Sequence, residues 1–275
     1  MADRATLRRA IGTRANWVLP PLGLILALLL LWQAAVALFE IQPWLLPSPL
    51  QILRAGWAAR PLLWPHVWQT TQETVLGFLS ALVIGLSLGI LIDRSPRVRA
   101  AIYPLLVFSQ TIPIIAIAPL LIIWFGYGIL PKIIVVALIC FFPIVVNTAD
   151  GLRATDPEQI ALLRTMGATR RDTFLKVQMP GAMPMVFSGI KVGITYSVVG
   201  AIIGEWVGAA RGIGVFMLRA TASFRTDWVF VSIALTAALS LTLFGLVTVV
   251  ERLTLGWHYA ATRQERWEEI SEEKR

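Results

Sequence analysis

The sequence predicts an all-α, polytopic membrane protein with six transmembrane helices and one long polar loop. Of its 275 residues, 57% are hydrophobic and 15% are charged, and the mean hydropathy is +0.72. About a quarter of the residues of a soluble globular protein are charged, so this composition lies outside the soluble range. Six apolar stretches also come close to the roughly 20 residues that a helix needs to cross a bilayer.

The basic residues that flank these stretches predict their orientation. The predicted spans are residues 18–39, 73–93, 104–125, 132–150, 185–206 and 228–250. Most Lys and Arg residues lie on the set of flanks that includes both chain ends and the polar loop, and only six lie on the opposite set. The positive-inside rule therefore places the first set in the cytoplasm. The predicted organisation is a cytoplasmic tail (1–17), a six-helix domain (18–250) that contains the polar loop (151–184), and a second cytoplasmic tail (251–275).

The polar loop carries the signals of a first short helix. Thr155 or Asp156 suits its N-cap, and Pro157 suits its first turn. Glu158 complements the positive end of the helix dipole, and Gly167 is the residue type that helix C-termini prefer. Apolar residues follow at three-residue spacing on one face: Ile160, Leu163 and Met166.

A second short helix is predicted from Thr169, which pairs with Asp172 as a capping box, to Pro180 and Gly181, which end it. Helices this short are marginal alone in water, so they need a surface to pack on. Burial in hydrocarbon is excluded by five basic residues: Arg153, Arg164, Arg170, Arg171 and Lys176. Two interpretations are open from the pattern alone. The helices dock into the groove of a cytosolic partner, or they lie as an amphipathic loop on the bilayer.

Small residues recur every four positions in the second and fifth spans. Such stripes let membrane helices approach closely, which predicts that these two spans are central to the bundle. The predicted packing residues are Gly77, Ala81, Gly85 and Gly89 in the second span, and Gly200, Gly204 and Gly208 in the fifth.

Polar residues within the spans are candidates for a solute path. Prolines in the third and fourth spans free backbone carbonyl groups that need partners, so these spans are expected to line a cavity or to pack against neighbours. Glu205 is either a site residue or a side chain that reaches the membrane surface. The candidate path residues are Ser109, Gln110, Thr111, Asn147, Tyr196 and Glu205.

The segment before the second span predicts a separate amphipathic helix. Ser48 suits its N-cap and Pro49 its first turn, while Ile52, Leu53 and Trp57 share one side. A helix of this kind is expected to lie along the outer leaflet.

Other function classes lack the residues that they need. No GxxxxGK[ST] phosphate loop occurs, so the chain does not bind ATP by that device. His66 and His258 are predicted on opposite sides of the membrane and Cys140 is the single cysteine, so no metal site or Cys–His nucleophile pair is expected. The net charge of +8 lies on membrane flanks and does not indicate a nucleic acid partner. We therefore expect neither catalysis nor a cofactor in this chain.

Four stretches carry a family resemblance: LPSP from Leu46 to Pro49, QTIPIIAIAPLLIIWFGYG from Gln110 to Gly128, FFPIVVNTADGLRATDPE from Phe141 to Glu158, and the polar loop. They resemble the permease subunits of bacterial ATP-binding-cassette (ABC) importers, in the nitrate/sulfonate/taurine branch. The loop signature of that family is EAA, three residues, Gly, nine residues and then I-x-L-P. Here Gly167 is followed at that interval by VQMP, but the triplet is Ala161, Leu162 and Leu163, without an acidic residue. Glu158 and Asp156 are the candidates to replace it.

The resemblance implies a fold like that of a type I ABC importer permease, in which the polar loop is a coupling element seated on a separate ATPase. It favours the docking interpretation of the loop. The implied coupling residues are Asp156, Glu158, Ala161, Leu162, Leu163, Gly167, Ala168 and Pro180. The implied partners are an ABC ATPase dimer that holds ATP and Mg²⁺, a periplasmic solute-binding protein, a second permease copy and the lipid of a bacterial inner membrane.

The resemblance leaves the solute open between a sulfonate or nitrate type and a pyrimidine type. The segment GAIIGEWVGAARGIG (200–214) resembles permeases for pyrimidines and other small heterocycles at least as closely as those for alkanesulfonates. A secondary transporter or channel that works without an ATPase is the alternative function.

Overall fold

The structure, a computed structural model, describes residues 3–257 of the chain, with side chains from Leu19 onward. This described part contains helices and no strand, which confirms the all-α prediction. The elements are α1 (Asp3–Leu38), α2 (Pro49–Arg94), α3 (Pro96–Ser109), α4 (Ile114–Phe125), α5 (Leu130–Arg153), α6 (Pro157–Thr165), α7 (Arg170–Thr173), a π-helical segment (Phe174–Gln178), α8 (Met179–Trp206), α9 (Ile213–Ala222) and α10 (Thr226–Thr254).

Five helical stretches of the described chain are long and apolar enough to cross a membrane. They are the Leu19–Leu38 part of α1, α2, α5, the run Arg170–Trp206 and α10. A sixth span results if α3 and α4 count together, although the chain bends by 96° at the break between them. The prediction of a polytopic helical membrane protein is confirmed.

The predicted third span (104–125) is not one helix. Instead, α3 ends at Ser109 and α4 begins at Ile114. Pro113 has no N–H group and disfavours helical backbone at the residue before it, so the helix does not continue through this point. The hydroxyl groups of Ser109 and Thr111 donate to the Leu106 and Phe108 carbonyls at 2.7 and 2.8 Å, which gives partners to carbonyl groups at the end of α3.

The prediction of a separate amphipathic helix that begins at Pro49 is also wrong. It is the first part of α2, which runs without interruption from Pro49 to Arg94. The helix continues through Pro61 and Pro65, although each lacks the N–H group of a regular intrahelical hydrogen bond. Thr71 Oγ1 donates to the Val67 carbonyl at 2.8 Å, an arrangement that threonine adopts inside helices.

The second loop helix does not end at Pro180 and Gly181, as the sequence predicted. It passes through the π-helical segment into α8, so that one helical run extends from Arg170 to Trp206. Pro180 lies in the first turn of α8, directly after a wider turn in which Met179 N–H bonds to Phe174 O. A proline is tolerated here because the hydrogen-bonding register changes at this point, so its missing N–H group does not break a regular α-helical ladder.

The described chain divides into two compact units. The first comprises residues up to Leu62 together with Met217–Ile233, and the second comprises Leu63–Phe216 together with the chain from Ala234. In the first unit, the Trp32 and Phe230 rings pack with centroids 5.5 Å apart, and Thr226 Oγ1 donates to Trp44 O at 2.5 Å.

In the second unit, α5 packs between the small-residue faces of α2 and α8. A Cβ atom on Gly85 of α2 would lie 2.8 Å from Ile144 Cγ2 of α5, closer than real side chains come. From the other side, a Cβ atom on Gly200 of α8 would lie 3.2 Å from Val136 Cα of α5. Both faces therefore pack against α5 rather than against each other.

The remaining predicted packing residues follow the same arrangement, with one exception. Gly77 and Gly89 lie against Val136 and Thr148 of α5, and Ala81 is fully buried. Gly204 lies against Lys132. Gly208 follows the end of α8, so it is not part of the helical stripe to which the sequence assigned it.

Candidate functional site

Five of the buried polar side chains on α2, α5 and α8 form what is called here the polar cluster: His66, Thr70, Glu73, Lys132 and Glu205. Burial of ionisable groups is costly unless hydrogen bonds or opposite charges compensate for the lost water. The partners of each group therefore indicate what the cluster does.

Glu205 is 1% exposed, and both of its carboxyl oxygens are hydrogen-bonded. Oε1 accepts from Thr70 Oγ1 at 2.5 Å, and Oε2 accepts from the N–H of Gly214 at 2.6 Å. Gly214 lies in the first turn of α9, where N–H groups have no partner within the helix and the dipole favours a negative charge. Glu205 thus holds the start of α9.

The residues at the start of α9, Gly212–Gly214, are also held by α2. Thr70 Oγ1 accepts from the N–H of Ile213 at 2.8 Å, and His66 Nδ1 lies 3.0 Å from Gly212 N. Gly212 has φ +140°, and a Cβ atom there would overlap the Glu205 carboxyl group. This position therefore requires glycine.

Glu73 and Lys132 face a cavity of about 600 Å³. Glu73 Oε1 accepts from Gln69 Nε2 at 2.9 Å, and Lys132 Nζ donates to Gly208 O at 3.3 Å. Further residues that line the cavity are Tyr127, Gly128, Ile129, Ala209, Ala210 and Arg211. Glu73 and Lys132 are the first residues of two predicted spans, where a charge is common, although a charged residue next to an apolar stretch is also a signal for a site.

The six predicted path residues lie on different elements, and Glu205 is the member that belongs to the polar cluster. Ser109, Gln110 and Thr111 lie at the break between α3 and α4. Asn147 is partly buried on α5 and its Nδ2 donates to Pro143 O at 2.8 Å. Tyr196 is about half exposed on α8.

The first helix of the polar loop is α6, as predicted. Asp156 caps it, since its Oδ1 accepts from the N–H of Glu158 at 2.8 Å, and Gly167 follows its end with φ +83°. None of the nine residues of α6, all of them described, is buried. Leu162 is 63% exposed and Met166 is 74% exposed. Within residues 3–257, the fold therefore leaves these two apolar side chains exposed.

The second loop helix begins with the predicted capping box. Thr169 Oγ1 accepts from Asp172 N at 3.1 Å, and Asp172 Oδ2 accepts from Thr169 N at 3.2 Å. Of the predicted coupling residues, Ala161 is exposed, whereas Leu163, Ala168 and Pro180 are partly buried. A cavity of about 740 Å³ adjoins the loop. Its lining includes Arg94, Arg164, Arg170, Arg171, Phe174 and Leu175.

Three relatives resemble the chain over most of its length. The formylaminopyrimidine transport permease protein ThiX of Halalkalibacterium halodurans is 38% identical over 245 residues, which is 89% of this chain and 98% of that protein. The riboflavin transport system permease protein RibX of Chloroflexus aurantiacus is 38% identical, over 89% of this chain and 92% of that protein. The taurine transport system permease protein TauC of Escherichia coli is 30% identical, over 86% and 89%.

Solved structures share the fold. An amino acid ABC transporter superimposes with a TM-score of 0.59 at 18% identity, over 71% of this chain and 95% of that one. The MetNI methionine ABC transporter in an inward-facing conformation gives 0.56 at 21% identity, over 69% and 98%. The sequence profile described as "Binding-protein-dependent transport system inner membrane component" matches residues 81–255. The chain therefore belongs to this family of ABC importer permeases and is a transport subunit.

Proposed function

We propose that the chain forms the translocation path of an ABC importer for a small solute, which a periplasmic binding protein delivers and a separate ATPase drives. The observation that carries this proposal is the connection between the exposed loop and the membrane core. The run Arg170–Trp206 begins in the loop, and a larger share of its apolar stretch is buried than in any other candidate span of the described chain. A partner that moves the loop would therefore move the best-packed span.

The exposed apolar side chains of α6 support a protein partner. A helix of nine residues is too short to be stable alone, and here the fold buries none of its described residues. Leu162 and Met166 would gain stability by entering an apolar groove, while neighbouring basic residues face its rim. The coupling residues proposed from the family signature, from Asp156 to Pro180, lie on and around this surface. We propose that ATP and Mg²⁺ bind to the partner and not to this chain.

The orientation in the membrane is proposed from charge. The positive-inside rule places both termini and the polar loop in the cytoplasm of a bacterial cell, with the chain as a multi-pass protein of the inner membrane. An importer of this type would contain two copies of the permease, one ATPase per copy, and the surrounding lipid. The two copies would enclose the path between them.

The names of the relatives bear on the solute. ThiX and RibX, both 38% identical, are named for a formylaminopyrimidine and for riboflavin, whereas TauC, named for taurine, is 30% identical. This difference favours a nitrogen heterocycle of the pyrimidine type over a sulfonate or nitrate as the imported solute.

The coupling role is tested by Gly167→Val. Gly167 has φ +83° with no described atom within 4 Å of the added Cβ, so the substitution strains the backbone between α6 and α7 without a collision. The left-handed region costs a residue with a side chain about 1–2 kcal/mol. We expect about tenfold less ATPase to co-purify with the variant, and a matching loss of ATP-driven uptake in proteoliposomes.

Gly126→Val is the matched control, because Gly126 has φ +75° and equally open surroundings but lies between α4 and α5. It should assemble with the ATPase as the unchanged chain does. Equal assembly of both variants would contradict the coupling role. Uptake by the chain alone, without ATPase or ATP, would support a secondary transporter or channel instead.

A further inference from the structure

The cavity beside the polar loop is lined by four arginine side chains and is called here the arginine cavity. Its volume is about 740 Å³, which is in the range of small-molecule sites, and its lining residues all belong to the second compact unit. The arginines come from α2, α6 and α7, and all of them are exposed: Arg94, Arg164, Arg170 and Arg171. The fold therefore gathers like charges from three helices around one space.

The described part of the chain does not neutralise these charges. None of the four arginines forms an ion pair with a described residue. Asp93 lines the cavity, but its charge interacts with Arg99 and Arg153, with which it lines a second cavity. Asp172 pairs instead with Lys176 at 3.1 Å. An anion in the arginine cavity would therefore be attracted by all four guanidinium groups and would reduce their mutual repulsion.

Guanidinium groups favour a phosphate as this anion. The N–H donors of arginine lie in one plane, which lets two of them bind two phosphate oxygens at once, and the group is more weakly hydrated than the ammonium group of lysine. Arginines on three helices can bind one phosphate group from more than one side. The chemistry of the lining therefore fits a ligand that carries a phosphate.

The position of the cavity indicates a membrane lipid as the source of the phosphate. Arg94 is the last residue of α2, two positions after the apolar stretch of that span ends at Ile92. The headgroup layer extends roughly 5–8 Å beyond the hydrocarbon on each side of a bilayer, so the Arg94 side chain is expected at the depth of the headgroups. In the proposed orientation this is the cytoplasmic side, where basic pockets beside membrane helices bind anionic headgroups.

Apolar side chains in the same cavity favour a lipid over a free phosphate ion. Phe174 and Leu175 of the π-helical segment are among the lining residues, and Leu175 is 53% exposed. A free ion gains nothing from contact with such side chains. A phospholipid carries acyl chains next to its phosphate, and covering Leu175 with them would remove apolar surface from water.

We propose that the arginine cavity binds the phosphate group of an anionic phospholipid of the cytoplasmic leaflet, with an acyl chain against Phe174 and Leu175. The bound lipid holds the start of the run Arg170–Trp206 at the membrane surface. Leu162 and Met166 do not line this cavity, so the loop still presents these apolar side chains to an ATPase. The proposal rests on the orientation proposed above and not on the identity of the solute.

The first test compares two lipids on the unchanged chain, assembled with its ATPase in detergent. Native mass spectrometry would measure the binding of dioleoylphosphatidylglycerol and of dioleoylphosphatidylcholine, which share their acyl chains and differ in headgroup charge. We expect the anionic lipid to bind at least about fivefold more tightly, the factor that corresponds to one basic residue near a membrane surface. Equal binding would overturn the proposal. Displacement of the bound lipid by excess inorganic phosphate would also overturn it, in favour of a site for a free ion.

Matched variants locate the lipid. Arg170→Gln with Arg171→Gln removes two charges from the cavity at exposed positions, and we expect about twentyfold weaker binding of phosphatidylglycerol. Arg97→Gln with Arg252→Gln is the control, because both arginines are exposed and neither lines the cavity. The control removes the same charge and should leave the affinity nearly unchanged. An equal loss in both variants would show a general attraction to basic residues and would overturn the site.

ATPase assembly separates the lipid site from the proposed function. If the cavity variant keeps phosphatidylglycerol but loses the ATPase, its arginines contact the ATPase and the lipid site is wrong. Lipid binding is also measured on the full chain without the ATPase, where weaker binding by the cavity variant can come only from the lipid site. If the unchanged chain binds phosphatidylglycerol but assembles with no ATPase, the importer function fails and the lipid site stands.

Discussion

The N–H groups in the first turn of α9 have no acceptor within their own helix. The carboxyl group of Glu205, at the end of α8, supplies an acceptor for one of them. Its two oxygens join Thr70 of α2 to Gly214 of α9, so three elements meet at one buried side chain. A charge in an apolar span is often a site for a ligand. Here its role is structural, because it joins three helices.

Gly212→Ala tests how tightly this arrangement is built. The new Cβ would overlap the Glu205 carboxyl group, and φ +140° is unfavourable for alanine. We expect a loss of about 2–4 kcal/mol, the range for strain combined with a broken buried network, and a fall of several degrees in the thermal transition in detergent. Gly128→Ala is the control, since no described atom lies within 4 Å of its added Cβ. Equal transition temperatures would show that Glu205 can move without cost.

The sequence pointed to Glu205 but to no other member of the polar cluster. Glu205 interrupts an apolar stretch, which is visible in the local sequence. Glu73 and Lys132 lie at the first residue of a predicted span, where a charge does not stand out. Thr70 and His66 bond to residues 135 and 146 positions away, so no local pattern reveals their partners. Roles that depend on contacts between residues so far apart in the sequence can be assigned only from the folded structure.

At the scale of elements, the small-residue faces of α2 and α8 allow α5 to pack between them. The four-residue spacing predicts the stripes themselves. It does not predict which helix they pack against. Both stripes meet large side chains of α5, such as Val136 and Ile144. Small residues on the outer helices and large residues on the middle one give a close contact on each side.

Gly85→Val is expected to separate α2 from α5. Its Cβ would lie 2.8 Å from Cγ2 of Ile144, which belongs to a buried apolar cluster, so the helices must shift. Overpacking of this kind costs about 1–3 kcal/mol. Gly245→Val in α10 is the control, because no described atom lies within 4 Å of the added Cβ. The thermal transition should fall for the first variant and stay for the second, and a fall of equal size in both would contradict the packing described here.

Helix starts were easier to predict than helix ends. Asp156 and Thr169 cap helices through bonds to residues two and three positions away, which the sequence shows directly. Proline gave opposite results at two places. Pro113 lies in a helix break that was not predicted, whereas Pro180, predicted to end a helix, is accommodated after a π-helical turn. The hydrogen-bonding register before a proline decides its effect, and that register depends on tertiary packing.

At the scale of the whole molecule, the run Arg170–Trp206 joins the polar loop to the polar cluster. Its 37 residues span about 55 Å as a helix. One end carries the capping box of the loop, and the other carries Glu205, which holds the start of α9. A displacement of the loop would therefore reach Glu205 through one continuous element, provided that the element is stiff. The π-helical segment Phe174–Gln178 is the place where its hydrogen bonding is least regular.

Softening this segment should separate ATP hydrolysis from transport. In the double variant Leu175→Gly and Lys176→Gly, both positions are exposed, so no core contact is lost, but each glycine weakens the helix by about 1 kcal/mol relative to alanine. The control is Leu175→Ala with Lys176→Ala, which removes the same side chains and keeps the helix stiff. We expect both variants to assemble with the ATPase and to hydrolyse ATP, while the glycine variant takes up severalfold less solute per ATP in proteoliposomes. Equal uptake per ATP in the two variants would mean that the stiffness of this helix does not affect coupling. The loop would then act on the membrane core through other contacts.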